Sequence, residues 1–265
     1  MSDRAITSAT DLTDFEAFCG RAATHADIFA NFRSEPTCRA VVDTMEWRDG
    51  LNNLIAALSL RPDYLLRLSE FRRNDEIGGP WTYSKVSRHP EIFNYSGLGR
   101  FSPTTFRYVR VAAHIHRLFG SFDGKRIAEI GGGYGGQARI LSAAHRLASL
   151  SVYDLPPVLS LAERYLRALG VSAEMISAHS FAAADYDLVI SNYAFSEMTG
   201  QMQGEYFDKV ISRAKHGYFL FNKITDENWN SLSPEKFVAR LPHKATIVAS
   251  TIGSDRLHGI RLVYW

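Results

Sequence analysis

The sequence predicts an α/β protein in which a helical N-terminal region precedes a mostly parallel β-sheet with helices on both faces. From Arg126 onward, short apolar runs typical of strands alternate with helical segments, and such alternation is typical of parallel sheets. The last two predicted strands are joined by a short connection, Thr251–Gly259. A connection of this length permits an antiparallel pair and excludes a parallel crossover.

The composition excludes several classes of protein. The chain has 265 residues, of which 46% are hydrophobic, so it can bury a sizeable core and global disorder is not expected. Its 30 basic and 28 acidic residues leave a net charge of +2, without the basic excess of proteins that bind nucleic acid. Its apolar runs fall short of the about 20 residues that a membrane-spanning helix needs, and the N-terminus lacks the apolar core of a signal peptide. We therefore expect a cytoplasmic protein with neither a nucleic-acid nor a membrane partner.

Residues 1–100 are predicted to form a helical region on the substrate side of the protein. Between Asp11 and Asn74, apolar residues recur at spacings of three and four. Cys19 and Cys38 have no CxxC spacing and no nearby ligand pattern, so we expect two reduced, packed thiols. The helices are candidates for a cover over the active site or for a homo-oligomer interface.

The helical periodicity disappears between Asp75 and Arg100, in a loop that carries aromatic residues. These residues are Trp81, Tyr83, Phe93 and Tyr95. A loop this long is often a lid or a binding loop. Packing of the same rings in a core is the alternative.

Residues 101–265 are predicted to form the sheet-containing domain. Ser102 as N-cap and Pro103 in the first helical position begin a helix that ends near Phe119. Strands are predicted near Arg126–Ile130, Ser149–Tyr153, Ala173–Ser177, Leu188–Asn192, Gly217–Asn222, Ala245–Ser250 and Ile260–Tyr264. Helices are predicted near Gly136–Ala148, Pro157–Ala168 and Gly204–Ala214.

A glycine-rich turn follows the first of these strands and precedes a helix. Its sequence, Glu129-Ile130-Gly131-Gly132-Gly133-Tyr134-Gly135-Gly136, fits both the GxGxxG turn of dinucleotide-binding proteins and the (D/E)xGxGxG loop of S-adenosylmethionine enzymes. The carboxylate of Glu129 distinguishes the two. It would repel the pyrophosphate of a dinucleotide and attract the ammonium group of S-adenosylmethionine. The turn therefore favours the methyl donor.

Polar side chains also follow two further strands. Asp154 ends the second strand about 20 residues after the glycine turn, where a carboxylate can bind ribose hydroxyls. Capping of the next helix is the alternative role of Asp154. Asn192 and Tyr193 end the fourth strand, over the crevice in which open α/β folds bind ligands. Glu197 follows them and is the best-placed carboxylate for proton abstraction, with the favourable dipole of a helix N-terminus as its ordinary explanation.

These segments resemble class I S-adenosylmethionine-dependent methyltransferases, and more narrowly a bacterial group of sugar O-methyltransferases. The resemblance extends over roughly Ile77–Ala214 and rests on Ser102–Tyr108, Glu129–Gln137, Tyr153–Pro157, Ser191–Glu197 and His216–Tyr218. It implies a Rossmann-like fold with a seven-stranded, mostly parallel sheet and one antiparallel strand.

The resemblance also implies a cofactor site for S-adenosyl-L-methionine. It places Glu129, Gly131, Gly133 and Gly135 at the methionine part and Asp154 at the ribose. The full set of predicted cofactor-binding residues is Tyr108, Glu129, Gly131, Gly133, Tyr134, Gly135, Gln137, Asp154, Leu155, Asn192 and Tyr193. The usual Asp at the end of the third strand is missing, so adenine would be contacted by His179, Ser180, Phe181 or a backbone carbonyl.

The expected activity is methylation of a hydroxyl on a sugar, in a nucleotide sugar, a surface glycan or a glycosylated natural product. Glu197 and His179 are the predicted catalytic residues, and further candidates for the base are His114, His116, His243 and Asp226. A divalent metal is not indicated by any spacing, although Asp226 and Glu227 follow a strand where an ion could bind. The alternatives are an amino-sugar N-methyltransferase, an NAD-dependent dehydrogenase and a non-catalytic module that binds S-adenosylmethionine.

Overall fold

The computed structural model describes residues 9–42, 45–79, 92–222, 229–250, 255 and 259–265. The chain divides into two compact units. The first contains Met1–Ser121, Gly133–His145 and Leu155–Ser172, and the second contains Phe122–Gly132, Arg146–Asp154 and Ala173–Trp265. The predicted domain boundary at residue 100 stays a prediction.

The first unit is helical, as the periodicity of Asp11–Asn74 predicts. Its helices are α1 (Ala9–Thr24), α2 (Ala26–Asn31), α3 (Pro36–Val41), α4 (Trp47–Leu60), α5 (Leu68–Arg72), α6 (Pro103–Phe119), α7 (Gly136–Ala144) and α8 (Pro156–Ala168). Ser102 is the N-cap residue of α6 and Pro103 its first residue, which confirms the predicted start. Cys19 and Cys38 are buried free thiols, also as predicted.

The loop predicted between Asp75 and Arg100 contains a short antiparallel hairpin that the sequence did not indicate. Its strands are β1 (Phe93–Tyr95) and β2 (Gly99–Phe101), each too short for an alternating pattern to be visible. Tyr95 is buried, with its ring 4.8 Å from that of Phe106 and 5.9 Å from that of Trp47. Core packing is therefore the role of Tyr95. Trp81 and Tyr83 lie outside the described residues.

A buried ion pair fixes the start of α6 within the first unit. Arg33 Nη1 lies 3.0 Å from Asp75 Oδ1, and both side chains are fully buried. The carboxylate of Asp75 also accepts hydrogen bonds from the hydroxyl of Thr105 at 2.8 Å and the backbone N–H of Ser102 at 3.0 Å. Arg33 donates in addition to the carbonyl of Asn74 at 3.0 Å. These bonds offset part of the desolvation of the two charges, and burial still raises the pKa of Asp75 above its ordinary value.

Within the described residues, the second unit forms a seven-stranded sheet with two α-helices. Its strands are β3 (Arg126–Ile130), β4 (Ser149–Asp154), β5 (Glu174–Ser177), β6 (Leu188–Asn192), β7 (His216–Phe221), β8 (Thr246–Ala249) and β9 (Arg261–Tyr264), and its helices are α9 (Gly200–Lys209) and α10 (Pro234–Arg240). The strand order is β5-β4-β3-β6-β7-β9-β8. Among these strands, β9 runs in the direction opposite to the other six, so its pairings with β7 and β8 are antiparallel. The predicted fold class is confirmed, including the antiparallel pair at the end of the chain.

Both helices of the second unit differ from the prediction. α9 begins at Gly200 rather than near Gly204, because the hydroxyl of Thr199 caps it by accepting a hydrogen bond from the backbone N–H of Met202 at 3.3 Å. α10 was not predicted, since its seven residues are too few for a periodic pattern. Its fully buried Phe237 anchors it to the aromatic core of the sheet.

The central strands are buried on both faces, as parallel strands covered by helices are. The first four residues of β6, Leu188 to Ser191, are all buried, and the exposed residue of β3 is Arg126 at its start. Apart from Arg126, the polar residues of these two strands lie in the last two positions, at the carboxyl ends. No helix among the described residues is long and apolar enough to cross a bilayer.

Candidate functional site

Three neighbouring parallel strands of the second unit end at the same edge of the sheet. The register pairs Ile130 with Tyr153, so the residues that follow them, Gly131 and Asp154, lie at the same level. The pairing between β3 and β6 places Asn192 at this level too. Adjacent strands are about 4.8 Å apart, so the three positions lie within roughly 10 Å of one another. The strand order changes direction here, which is where open α/β sheets bind ligands.

The first part of the glycine-rich turn belongs to this edge and tolerates only glycine. Gly131 has a φ of +74°, and a Cβ there would lie 2.0 Å from the Cβ of Ala194. A Cβ on Gly132 would lie 2.5 Å from Val152 Cγ1 and 3.7 Å from the carboxyl carbon of Glu129. Glu129 is only 2% exposed. The turn thus presents bare backbone beside a buried carboxylate.

The second part of the glycine-rich turn belongs to the first unit. Gly135 is the N-cap residue of α7, with a left-handed φ of +92°. The ring of Tyr134 is buried against the rings of Tyr165 at 4.9 Å and Tyr108 at 6.4 Å. The buried amide of Gln137 donates to the carbonyl of Tyr108 at 3.2 Å. Tyr108, Tyr134 and Gln137 therefore have packing roles inside this unit, and their cofactor-binding roles stay predictions.

Gly133 and Leu155 lie in the turns that follow β3 and β4. Gly133 has a φ of +55°, and a Cβ there would make only an ordinary contact of 3.9 Å with Val42. Its backbone conformation, rather than a lack of space, therefore favours glycine. The N-cap residue of α8 is Leu155 and not Asp154. Asp154 is therefore not the N-cap residue itself, and both of its predicted roles stay predictions.

Glu197 lies at the end of a short 3-10 helix, Ala194–Glu197, that follows β6. Its Oε1 accepts a hydrogen bond from Nδ2 of Asn222, the residue directly after β7. Burial raises the pKa of Glu197 above its ordinary value, and the hydrogen bond from Asn222 opposes part of this rise. Glu197 is the acidic residue of the first turn of this four-residue 3-10 helix, so the helix-dipole explanation stays open. A partly buried carboxylate with a raised pKa is suited to accept a proton from a substrate hydroxyl.

Two serines hold this 3-10 helix in place. The hydroxyl of Ser191 donates to the carbonyl of Ile130 at 2.8 Å and accepts from the backbone N–H of Phe195 at 3.0 Å. The hydroxyl of Ser196 donates to the carbonyl of Tyr193 at 2.6 Å and accepts from the backbone N–H of Asn222 at 3.1 Å. Asn222 was not predicted as a site residue, and its signal in the sequence is its position at the end of a predicted strand.

Tyr193 adopts a strained backbone conformation and binds a second carboxylate. Its φ is +75°. Its hydroxyl donates to Oδ1 of Asp255 at 2.9 Å, and Oδ2 of Asp255 accepts from the hydroxyl of Ser250 at 3.3 Å. Asp255 is only 5% exposed. Tyr193 was predicted to bind the cofactor, and Asp255 was not predicted as a site residue.

The second predicted catalytic residue, His179, lies far from Glu197. It is exposed, in a turn directly after β5, where its backbone N–H donates to the hydroxyl of Ser177 at 3.2 Å. β4 and β3 separate β5 from β6, so the two strand ends are about 14 Å apart. The structure does not bring the two predicted catalytic residues together.

The other candidate bases have different surroundings. In the first unit, burial lowers the pKa of His114 to about 4, and His116 stacks on His145 with 5.6 Å between ring centroids. His243 is exposed, and Asp226 and Glu227 lie outside the described residues. Within the described part of the chain, no group of three or more His, Cys, Asp or Glu side chains could hold a metal ion.

The residues after β5 divide into packed and exposed ones. Phe181 is buried and stacks on Tyr206, with 4.6 Å between ring centroids. His179 and Ser180 are exposed. Of the predicted adenine contacts, His179, Ser180 and the backbone therefore stay open, whereas Phe181 is a core residue.

Several solved structures that are similar to this chain are described as methyltransferases. No protein-family model matches the chain, and no curated protein matches it. The chain is similar to a Galdieria sulphuraria protein described as a sarcosine dimethylglycine methyltransferase, with 18% identity and a TM-score of 0.39 over 44% of this chain and 48% of that one. It is similar to phosphoethanolamine N-methyltransferase 2 of Haemonchus contortus, solved with S-adenosyl-L-methionine, with 16% identity and a TM-score of 0.43 over 53% and 38%.

A third similar structure is the magnesium protoporphyrin IX methyltransferase of Synechocystis PCC 6803 with bound S-adenosylmethionine. It is 15% identical, with a TM-score of 0.46 over 59% of this chain and 76% of that one. The chain spans half or less of the length of the Galdieria and Haemonchus proteins. The substrates and ligands named are those of the proteins compared.

Proposed function

We propose that the protein is an S-adenosylmethionine-dependent methyltransferase that acts on a sugar hydroxyl. One observation carries the proposal: the buried carboxylate of Glu129 lies against the glycine turn that ends β3. A carboxylate at this position attracts the ammonium group of S-adenosylmethionine and repels the pyrophosphate of a dinucleotide. The position of Glu129 therefore supports the methyl donor over the dehydrogenase alternative.

The residues of the second unit fit this cofactor. A Cβ on Gly131 or Gly132 would collide with Ala194 or Val152, so the turn can adopt this conformation only with glycine. A turn of glycines leaves its backbone open to close approach by a ligand. Glu129 would hold the amino group, and Asp154, level with Gly131, would accept hydrogen bonds from the ribose. When bound, S-adenosylmethionine supplies an electrophilic methyl group.

Glu197 would act on the acceptor. A sugar hydroxyl is a weak nucleophile, so a base that removes its proton increases its reactivity. Asn222 holds Oε1 of Glu197, so Oε2 is the oxygen that would take the proton. The hydrogen bonds of Ser191 and Ser196 fix the short helix that carries Glu197, and such positioning is a large part of catalysis between two bound reactants.

Two observations support a sugar as the acceptor. The motif segments, from Ser102–Tyr108 to His216–Tyr218, resemble sugar O-methyltransferases. The net charge of +2 lacks the basic excess that is usual in proteins whose ligand is a polyanion. An amino sugar would use the same cofactor site, and the mass and linkage of the product would distinguish it.

Glu129→Gln is expected to weaken the binding of S-adenosylmethionine about 10- to 100-fold, because a hydrogen bond to a charged group contributes about 1.5–3 kcal/mol. Isothermal titration calorimetry measures this change. Glu174→Gln is the matched control, since Glu174 is exposed on β5 and its hydrogen bond joins it to Ser151 at 2.9 Å. An unchanged affinity in Glu129→Gln would remove Glu129 from the cofactor site.

The activity itself is tested by transfer of a labelled methyl group from S-adenosylmethionine to a panel of methyl hexosides and nucleotide sugars. We expect a labelled product whose linkage is an ether to a sugar oxygen. A protein that binds S-adenosylmethionine but labels no member of the panel would contradict the sugar assignment.

A further inference from the structure

The strained residue Tyr193 is held in its conformation from several sides. Its φ of +75° is rare for a residue with a bulky side chain. Its backbone N–H donates to the carbonyl of Leu220 at 2.9 Å. Its carbonyl accepts from both the backbone N–H of Ser196 at 2.9 Å and the hydroxyl of the same residue. Strain that surrounding bonds enforce in this way is concentrated at functional sites.

The hydrogen bond to Asp255 determines what the hydroxyl of Tyr193 can bind. Oη of Tyr193 donates its single proton to Oδ1 of Asp255 at 2.9 Å. A phenol has one proton to donate, and its oxygen can still accept. Oη can therefore take a hydrogen bond from the O–H or N–H of a ligand.

Two further hydrogen bonds hold Asp255 in the position where it accepts the phenol proton of Tyr193. Its Oδ2 accepts from the hydroxyl of Ser250 at 3.3 Å, and its backbone carbonyl accepts from the backbone N–H of Ile260 at 2.9 Å. The side chain is 5% exposed. The carboxylate of Asp255 is therefore a buried, hydrogen-bonded partner of the Tyr193 hydroxyl.

The side chain of Tyr193 extends away from the predicted cofactor residues. Glu129 and Asp154 lie at the ends of β3 and β4, on one side of β6. Asp255 lies between β8 and β9, on the other side of β6, and the start of β9 pairs with the end of β7 at Phe221. Asn222, which holds Glu197, follows the same strand. The hydroxyl of Tyr193 is therefore on the side of the sheet that carries the candidate base.

We infer that Tyr193, oriented by Asp255, binds a hydroxyl of the acceptor other than the one that is methylated. Glu197 would take the proton of the reacting hydroxyl, and Oη of Tyr193 would accept a hydrogen bond from a second one. The acceptor is then a polyol with at least two hydroxyls near each other, as in a hexose ring. Tyr193 is a specificity-determining residue and Asp255 a positioning residue. This inference rests on the proposed function, because it needs an acceptor.

The test compares Tyr193→Phe with the unmodified full chain in the presence of S-adenosylmethionine. The acceptors are the methyl glycosides of glucose, galactose, mannose and rhamnose, together with their monodeoxy derivatives. We expect the KM for the methylated glycoside to rise about tenfold or more, with kcat changed much less, because one hydrogen bond to the bound acceptor is lost. The Kd for S-adenosylmethionine, measured by calorimetry, stays within twofold.

A deoxy derivative identifies the hydroxyl that Tyr193 contacts. For the derivative that lacks it, Tyr193→Phe and the unmodified chain should have the same KM, because the lost partner and the lost hydroxyl affect one bond. Asp255→Leu is a second variant, in which the direction of the phenol proton is no longer fixed, and its KM should also rise. Tyr186→Phe is the matched control. It removes a buried hydrogen bond of 2.8 Å to Tyr153, and its KM should not change.

Three results would overturn the inference. An unchanged KM in Tyr193→Phe would show that its hydroxyl does not touch the acceptor. A weaker Kd for S-adenosylmethionine in this variant would assign Tyr193 to the cofactor instead. A protein that binds S-adenosylmethionine and methylates no glycoside of the panel would exclude a sugar hydroxyl as the partner of Tyr193. Absence of S-adenosylmethionine binding in the unmodified chain is a different result and would contradict the proposed function itself.

Discussion

Glu197→Gln is expected to lower kcat about 100- to 10,000-fold while the affinity for S-adenosylmethionine stays unchanged. The glutamine keeps the size of the side chain and a carbonyl oxygen for the hydrogen bond from Asn222. It cannot take a proton from the acceptor. Steady-state kinetics with a labelled methyl donor measures the loss, and calorimetry measures the affinity.

The pH profile separates a catalytic from a structural role of Glu197. The base is active when ionised, and burial raises its pKa, so kcat/KM should increase with pH over a range above the ordinary value of 4.5. The residual activity of Glu197→Gln should lack this rise. Because a raised pKa means that folding disfavours the ionised form of Glu197, the variant should unfold at a temperature no lower than that of the unmodified chain at pH 7.

A matched control for this experiment lies on the neighbouring helix. Glu205→Gln removes an exposed carboxylate of α9 whose partner is Lys209, at 3.3 Å. Its kcat should equal that of the unmodified chain. Equal rates in Glu197→Gln and Glu205→Gln would contradict the role of Glu197.

Gly131→Ala is expected to have the second largest effect. The new Cβ would lie 2.0 Å from the Cβ of Ala194, and the φ of +74° is unfavourable for alanine. The combined cost is about 2–4 kcal/mol of unfolding free energy. The new Cβ should also displace the turn that contacts the cofactor. A loss of about 1.4 kcal/mol of binding free energy lowers the affinity for S-adenosylmethionine tenfold, and we expect a loss of roughly this size or more. Denaturant unfolding and calorimetry measure the two changes.

Gly124→Ala is the matched control for the backbone conformation. Gly124 precedes β3 in the same unit, has a φ of +71°, and a Cβ there would meet no atom within 4 Å. Its unfolding free energy should fall by only about 1–2 kcal/mol, and its affinity for S-adenosylmethionine should not change. If Gly131→Ala behaved like Gly124→Ala, close packing against Ala194 would not shape the cofactor site.

The sequence predicted the parts of the fold that depend on a pattern within one continuous segment. β3 and β6 are buried parallel strands, so each is a short apolar run, and both predicted ranges match the structure. The antiparallel pairing of β9 followed from the length of the connection before it. The hairpin of Phe93–Phe101 and helix α10 are too short to produce a periodic pattern, and neither was predicted.

The candidate site was predictable where it follows one strand and not where distant segments meet. Glu129, Asp154 and Glu197 each come at or just after the carboxyl end of a strand, and the sequence alone located all three. The partner of Glu197 is Asn222, and the partner of Tyr193 is Asp255, 62 residues further along the chain. No local pattern joins such pairs, because the order of strands in the sheet decides which of them meet.

The central claim is that the edge formed by β3, β4 and β6 binds S-adenosylmethionine. Calorimetric titration of the unmodified full chain with S-adenosylmethionine, and in parallel with NADH, tests it most directly. We expect one molecule of S-adenosylmethionine to bind per chain with a Kd of roughly 1 μM to 1 mM, the usual range for enzyme substrates, and we expect no binding of NADH. Binding of NADH, or no binding of S-adenosylmethionine and its demethylated product, would contradict it.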